Sequence, residues 1–287
     1  MRGFSFFKKY VRMQNMMNIE QILILFFVFI LGTIAGSFIN CFVWRISQKE
    51  TILGSSYCPK CRHKLSFFDL FPILSFAFLK TKCRYCKEKI SWQYPIIEVM
   101  VGLVFVFIYY ITGFDLLTND FTNIKFFELI FRFIITTLLM SAFLYDLKHY
   151  IIPDRITLTG IGLSLIWIVF AFFNDYYSEI EVLGFVFSGI GSAFFLFLIW
   201  FFSQGKAMGF GDVKLVFLLG LLLGWPKIIP GLFISFFLGA FIGIILMLLR
   251  KKKMKSEVPF GPFLIIGTYI GLAYGAEILS WYLSFMQ

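Results

Sequence analysis

Eight long apolar runs constrain this chain more than any other feature. They cover residues 21–44, 95–112, 126–145, 156–173, 182–202, 208–225, 228–249 and 262–283. A helix rises 1.5 Å per residue, so about 20 apolar residues are needed to cross a hydrocarbon core ~30 Å thick. Lipid offers no partner to backbone N–H and C=O groups, so such runs must satisfy them internally as helices. The expected fold is an all-α polytopic membrane protein with about eight transmembrane helices and one sizeable loop, between the first two. With 60% hydrophobic and 15% charged residues, the composition excludes an ordinary soluble domain. The sixth run is uninterrupted only over 216–225. The polar stretch before it is therefore expected near the membrane boundary.

Charge gives the orientation. If the first helix ends inside, 19 of the 26 Lys and Arg fall in inside segments, including the basic run from Arg250 to Lys255. The outside loops then hold only Lys125 and Lys227, beside Asp115, Asp120, Asp175, Glu179 and Glu181. Positive charge accumulates on the cytoplasmic side of membrane proteins. Arg2, Lys8, Lys9 and Arg12 run against this bias. Either the larger downstream bias overrides them or translation starts at Met16 or Met17. No cleaved signal peptide is expected, because the first run is too long and lacks a small-residue cleavage site. The net charge of +10 needs no nucleic-acid partner, since a basic face beside anionic lipid accounts for it.

The 47–93 loop is too small to bury much of a core. It carries two CxxC pairs, Cys58/Cys61 and Cys83/Cys86, reading CPKC and CRYC. Four thiolates so paired suit one closed tetrahedral zinc site, which is structural because catalytic zinc keeps a position open for water. The basic flanks put the loop in a reducing compartment, which disfavours disulfides. Redox pairing is the alternative. Elsewhere, Gly36, Ser37 and Asn40 on the first helix suit close helix packing, and Cys41 reads as a small buried hydrophobe. Glu98 is either an interfacial carboxylate paired with a loop Lys or Arg, or a ligand. Glu128, Arg132 and Glu277 read as packing or snorkelling charges.

Two acids remain to be explained. Asp212 ends the glycine-rich stretch GKAMGFGDVK (205–214), and Asp146 follows the third run in YDLKHYIIPDRITL. An ionised side chain near bilayer depth costs roughly 2.5–3.5 kcal/mol on insertion scales, so such acids are functional candidates. Gly209 and Gly211 allow positive φ and carry no Cβ, so an extended peptide can lie close to Asp212. Asp154 precedes a helix after Pro153 and reads as a structural cap or dipole partner. His149, beside Lys148, reads as interfacial. Asp146 and Asp212 lie at the inside ends of the third and sixth runs, so both emerge on one face and can meet. The alternatives are that they neutralise Lys148 and Lys214, or that they bind a transported cation. The cation reading gives no reason for the glycines.

With these residues assembled, the chain resembles type IV prepilin peptidases, membrane aspartyl proteases of the GxGD class. The resemblance rests on GSFINCFVWR, CPKC and CRYC, DLFPILS, SWQYPIIE, DLKHYIIPD, MGFGDVKL and VPFGPFL in this order. It implies that Asp146 and Asp212 are the catalytic pair, and that Pro259, Phe260, Gly261 and Pro262 lie near them and shape the substrate groove. It implies cleavage of prepilin or pseudopilin leaders of a type IV pilus or type II secretion system, at the cytoplasmic face of a bacterial inner membrane. It further implies N-methylation of the new terminus from S-adenosylmethionine, an activity associated with the cysteine loop; a peptidase without methyl transfer is the alternative. The implied organisation is an N-terminal segment and first helix (1–46), a cytoplasmic zinc-ribbon-like loop (47–93) and a seven-helix peptidase domain (94–287).

Overall fold

The computed structural model describes residues 19–51, 54–114, 123–249 and 258–285. The N-terminal basic residues, Asp115, Asp120 and the Arg250–Lys255 run lie outside the described residues. Nine α-helices are found among the described residues: α1 (Ile19–Ser47), α2 (Leu74–Phe78), α3 (Gln93–Thr112), α4 (Ile124–His149), α5 (Asp154–Phe173), α6 (Glu179–Phe202), α7 (Phe210–Leu223), α8 (Ile228–Leu248) and α9 (Gly261–Ser284). A single 3-10 turn covers Phe67–Leu70. No strand is present among the described residues, only two isolated bridges in the cysteine loop.

Seven of these helices are long and apolar enough to cross a membrane. Apart from the five-residue α2, the exception is α7, the sixth of the expected spans. It has 14 residues and so reaches only about 21 Å. Its start at Phe210 and end at Leu223 follow from Gly209, which takes the cap position, and Gly224, whose φ of +68° suits a residue without Cβ.

The chain divides into two compact units. The first holds the described residues of Met1–Cys41 and Leu53–Phe121. There α1 and α3 approach closely: a Cβ on Gly32 would sit 2.7 Å from the Gly102 Cα, and one on Gly36 2.7 Å from the Glu98 Cα. Small residues permit that backbone contact, as expected for Gly36. Asn40 Nδ2 donates to the Tyr94 carbonyl at 3.2 Å, and Gln93 Nε2 donates to Asn40 Oδ1 at 3.3 Å. Cys41 departs from expectation. It is half-buried, and its thiol meets Ser56 Oγ at 3.8 Å.

The second unit holds Phe42–Ile52 and Thr122–Gln287. Its centre is α7, which contacts α5, α6, α8 and α9. Apolar residues surround α7 on every side, and Leu215, Val216, Leu218 and Leu219 are almost wholly buried, as a central helix requires. A Cβ on Gly220 would meet the Gly189 Cα at 2.6 Å, and Ser192 Oγ donates to the Val216 carbonyl at 3.2 Å. That contact holds α7 tightly to α6. By contrast α8 buries only Ile228, Pro230, Gly231 and Ser235, and leaves its remaining apolar surface for lipid. At the far end of α4 from Asp146, Glu128 is buried, accepts from Arg132 Nε at 2.9 Å and receives the Tyr176 hydroxyl at 2.7 Å. These two charges neutralise each other rather than snorkel.

Candidate active site and metal centre

In the second unit, helix ends bring two acids together. Gly209 caps α7 with extended backbone (φ −77°, ψ 152°), and Asp212 occupies the third helical position. From there its Oδ2 reaches back to accept the Gly209 N–H at 3.2 Å. This is the reciprocal half of a capping box, available wherever an acid follows a cap by three residues. Neither Gly209 nor Gly211 has positive φ. The conformational reason for these glycines does not hold, and the steric one divides between them. A Cβ on Gly211 would meet the Ile152 Cβ at 3.3 Å, so this glycine seats α7 on the 150–153 turn. A Cβ on Gly209 would meet nothing nearer than Asp212 Oδ2 at 3.7 Å.

Asp146 lies in the last turn of α4. Tyr150 ends that helix in the left-handed region (φ 57°), its N–H returning to the Asp146 carbonyl at 2.9 Å. The chain then drops through buried Ile152 into α5. The Asp146 side chain is 4% exposed, and its Oδ2 accepts the Gly261 N–H at 3.0 Å. A Cβ on Gly261 would stand 2.7 Å from that oxygen and 3.1 Å from Ile152 Cδ1. Pro262 sits in the first turn of α9, where a missing N–H costs nothing, and is buried. Phe260 is half-buried against Phe236, ring centroids 5.0 Å apart. Pro259 is half-buried just before it.

Asp146 lies within electrostatic reach of Asp212, which is itself 7% exposed. Neither carboxylate has a Lys, Arg or His partner among the described residues. Lys214 Nζ instead pairs with Asp154 Oδ1 at 2.8 Å and lies over the Phe210 ring. Asp154 is therefore structural, but as an ion-pair partner in the first turn; Pro153 holds the cap position. His149 is exposed beside Tyr145. Two buried acids in mutual reach, each held by one glycine N–H, can share a single proton and activate water.

The first unit carries the cysteines. All four sulfurs lie within 4.8 Å of one another. Each pair sits on a knuckle built alike: the Cys58 N–H donates to the His63 carbonyl and the Arg62 N–H to the Cys58 carbonyl, as Cys83 does with Glu88 and Lys87. Arg62 and Lys87 share a left-handed φ near 55–61°, and the bridges Tyr57–Lys64 and Lys82–Lys89 close the two turns. Cys58 and Cys86 sulfurs are 3.9 Å apart, close to the edge of about 3.8 Å for a tetrahedron with 2.3 Å metal–sulfur bonds. All five cysteines are free, so the redox alternative finds no disulfide among the described residues. Burial opposes ionisation of Cys58, but hydrogen bonds from the Cys61 and Lys60 backbone outweigh it and lower its pKa to about 7. This set of four could bind a metal.

Asp69 ties the loop together. It accepts the Ser66 N–H at 3.1 Å, the Ser66 hydroxyl at 2.8 Å and Arg84 Nε at 2.7 Å. Burial pushes its carboxyl up, yet the Ser66 and Arg84 bonds prevail and hold it below the usual carboxylate range. Glu98 is buried and pairs with no Lys or Arg among the described residues. Its Oε2 accepts the Ile73 N–H at 2.8 Å, with Ser37 also bonded to the carboxylate. The Ile73 contact, like the roles of Ile152 and Tyr150, leaves no local sequence signal.

Comparison with known proteins places both units. Residues 30–112 match the bacterial peptidase A24 N-terminal domain, and residues 133–244 match the type IV leader peptidase family. A prepilin leader peptidase/N-methyltransferase of Pseudomonas aeruginosa is 28% identical, covering 89% of this chain and 92% of the relative. One from Aeromonas salmonicida is 33% identical over 80% of this chain and 74% of its own length. One from Pseudomonas putida is 29% identical over 88% and 91%. No solved structure matches the chain.

Proposed function

The chain belongs to the type IV leader peptidase family, and from that premise we propose that Asp146 and Asp212 are the catalytic pair. The protein is a multi-pass inner-membrane enzyme that removes a prepilin leader and N-methylates the terminus so exposed. The observation that carries the assignment is the pairing itself: two buried acids in mutual reach, without a cation, each fixed by a glycine N–H. One aspartate, ionised, takes a proton from water as its oxygen attacks the scissile carbonyl. The other, protonated, donates to the carbonyl oxygen. The C–N bond then breaks as a proton passes to the leaving amine, and the pair returns to one shared proton. The Gly209 and Gly261 N–H groups each hold one oxygen, leaving the second oxygen of each carboxylate for this exchange.

The lack of any contact tighter than 3.7 Å at Gly209 supports passage of an extended substrate backbone at Asp212. The Pro259–Pro262 turn would form the opposite wall beside Asp146. Cys58, Cys61, Cys83 and Cys86 would hold a zinc ion as a closed four-thiolate centre, which supplies folding free energy rather than a reactive water. S-adenosylmethionine supplies the methyl group. The substrates are prepilins or pseudopilins of a type IV pilus or type II secretion system, cut at the cytoplasmic face to which the basic residues point. The cation-transport reading is not favoured, because the relatives are peptidases.

Mass spectrometry of a prepilin incubated in detergent with S-adenosylmethionine tests this reading. Wild type should release a leader-free, methylated product. Asp146→Asn and Asp212→Asn should each lose at least about 10²-fold in cleavage, the usual worth of positioned acid–base catalysis. Wild-type rates in either variant would overturn the assignment.

A further inference from the structure

The loop between α1 and α3 does not behave as a purely aqueous module. Its Ser66–Leu79 segment exposes a run of large apolar side chains. Phe68 is 71% exposed and Phe78 81% exposed, with Phe67, Phe71 and Leu74 also open. Phe68, Phe71, Leu74 and Phe78 line a cleft of about 420 Å³ whose only charged residue, among the described residues, is Arg84, already held by Asp69. Contiguous exposed apolar surface of this kind marks a contact with another apolar phase.

The depth of the segment follows from Glu98. That residue is the sixth of α3, so it lies about 7.5 Å along the helix from Gln93. With 20 residues, α3 has just the ~30 Å needed to cross the hydrocarbon core. Ile73 donates its N–H to the Glu98 carboxylate at 2.8 Å, which sets the 71–74 turn beside the second turn of a membrane helix. Ile73 does so at φ 60°, a conformation that a β-branched residue adopts only when its surroundings impose it. Phe76 also packs edge-on against Trp92 at 4.9 Å, and Trp92 immediately precedes α3 and is exposed. Tryptophan at such a position belongs to the interfacial aromatic belt.

Further apolar surface lies on α3 itself. Trp92 just before the helix, and Ile96 and Leu103 on it, are exposed, and the segment is tied to them through buried Phe76, whose ring packs on Trp92. The rim has the complementary charge. Residues 54–92 carry eight Lys or Arg against Asp69 and Glu88 alone, and Lys64, Lys80 and Lys82 are exposed. Basic residues beside an apolar face are drawn to anionic headgroups.

We propose that the Ser66–Leu79 segment is an interfacial membrane anchor, its Phe68, Phe71 and Phe78 side chains inserted at the headgroup–acyl boundary. The cysteine knuckles are tied to that anchor by the Asp69–Arg84 bond. The loop is thereby held at the lipid surface, where a substrate with an apolar helix would present its new amine for methyl transfer. This second step rests on the methyl-transfer reading, whereas the anchor itself does not.

The test is photo-crosslinking of the full chain. Benzoylphenylalanine is placed by Phe68→benzoylphenylalanine or Phe71→benzoylphenylalanine, with Leu103 as the lipid-facing reference position and Tyr85 as the aqueous one. Each protein is reconstituted in vesicles of phosphatidylethanolamine and phosphatidylglycerol, irradiated and analysed by intact mass. Leader cleavage and metal content serve as folding checks. Lipid-adduct yields at positions 68 and 71 should match that at 103 and exceed that at 85 severalfold. Yields at 68 and 71 no higher than at 85, or adducts to a second copy of the chain or to the substrate in place of lipid, would overturn the anchor. A variant that labels lipid but no longer methylates supports the anchor. Wild type that labels lipid and never methylates leaves the anchor standing and refutes the methyl-transfer reading.

Discussion

Gly261→Ala tests the geometry of the acid pair from an atom that takes no part in the chemistry. The added Cβ would stand 2.7 Å from Asp146 Oδ2 and 3.1 Å from Ile152 Cδ1. Carbon and oxygen need about 0.5 Å more, and neither neighbour is free to yield. Asp146 is in the last turn of α4, held by Tyr150, and Ile152 is buried under Gly211. The side chain must therefore rotate away and lose its 3.0 Å bond from the Gly261 N–H. A hydrogen bond to a charged group is worth about 1.5–3 kcal/mol, which corresponds to roughly 10- to 100-fold in rate if the group is needed in position. Leader cleavage by Gly261→Ala should fall by about that factor, while the lost bond lowers thermal stability without unfolding the protein. Gly209→Ala makes a control with opposite geometry, because its Cβ meets Asp212 Oδ2 at 3.7 Å and the Gly211 N at 3.9 Å, both ordinary contacts. Its effect should appear in KM, where the substrate backbone passes, rather than in kcat. Wild-type cleavage by Gly261→Ala, with the protein fully folded, would refute the reasoning.

Three further predictions address the surroundings. Cys83→Ser removes a buried sulfur of the metal cluster, so bound metal measured by elemental analysis should be lost and the 54–92 loop should become sensitive to protease; retained metal would count against a four-thiolate site. Asp69 is held below the ordinary carboxylate range, so its bonds stabilise the loop at all pH values above that of the unfolded carboxylate and are lost as pH falls through the lower folded value. Loop protease resistance should therefore decline on the acid side, and Asp69→Asn should flatten that dependence. Lys214→Met breaks an ion pair that is partly exposed on both sides, so it should cost less than ~1 kcal/mol in thermal unfolding and leave cleavage intact. A large loss of cleavage would instead tie Lys214 to the acid pair.

The spans and both acids are legible in the sequence because each breaks or obeys a local rule. Apolar runs of sufficient length must be helices, and an ionised residue at the end of one needs a reason. The shortness of α7 is visible as the 216–225 run, and Asp212 extends the helix backward by capping Gly209 itself. The two knuckles are readable from CxxC spacing, since each is a local turn. What escapes are partners set by packing. Gly261 reaches Asp146 across 115 residues because α9 lies beside α4. Lys214 finds Asp154 across 60 residues, although Asp212 is nearer in sequence. Glu98 takes a backbone N–H where a Lys or Arg is expected, because the strained turn at Ile73 supplies one beside it. Positive φ at the GxGD glycines is a similar case. Their value lies in the absent Cβ, and only the neighbouring backbone reveals that Gly211 answers to Ile152 while Gly209 meets nothing within 4 Å but Asp212 and Gly211.

The central claim is that Asp146 and Asp212 work as one proton-sharing unit, and cleavage rates of the two single Asn variants and their double combination measure it most directly. Residues that act as a unit are strongly non-additive, since losing either one forfeits the whole contribution. Asp146→Asn, Asp212→Asn and the double variant should all be depressed to the same residual rate. Additive losses, with the double variant slower by the product of the two single factors, would contradict it.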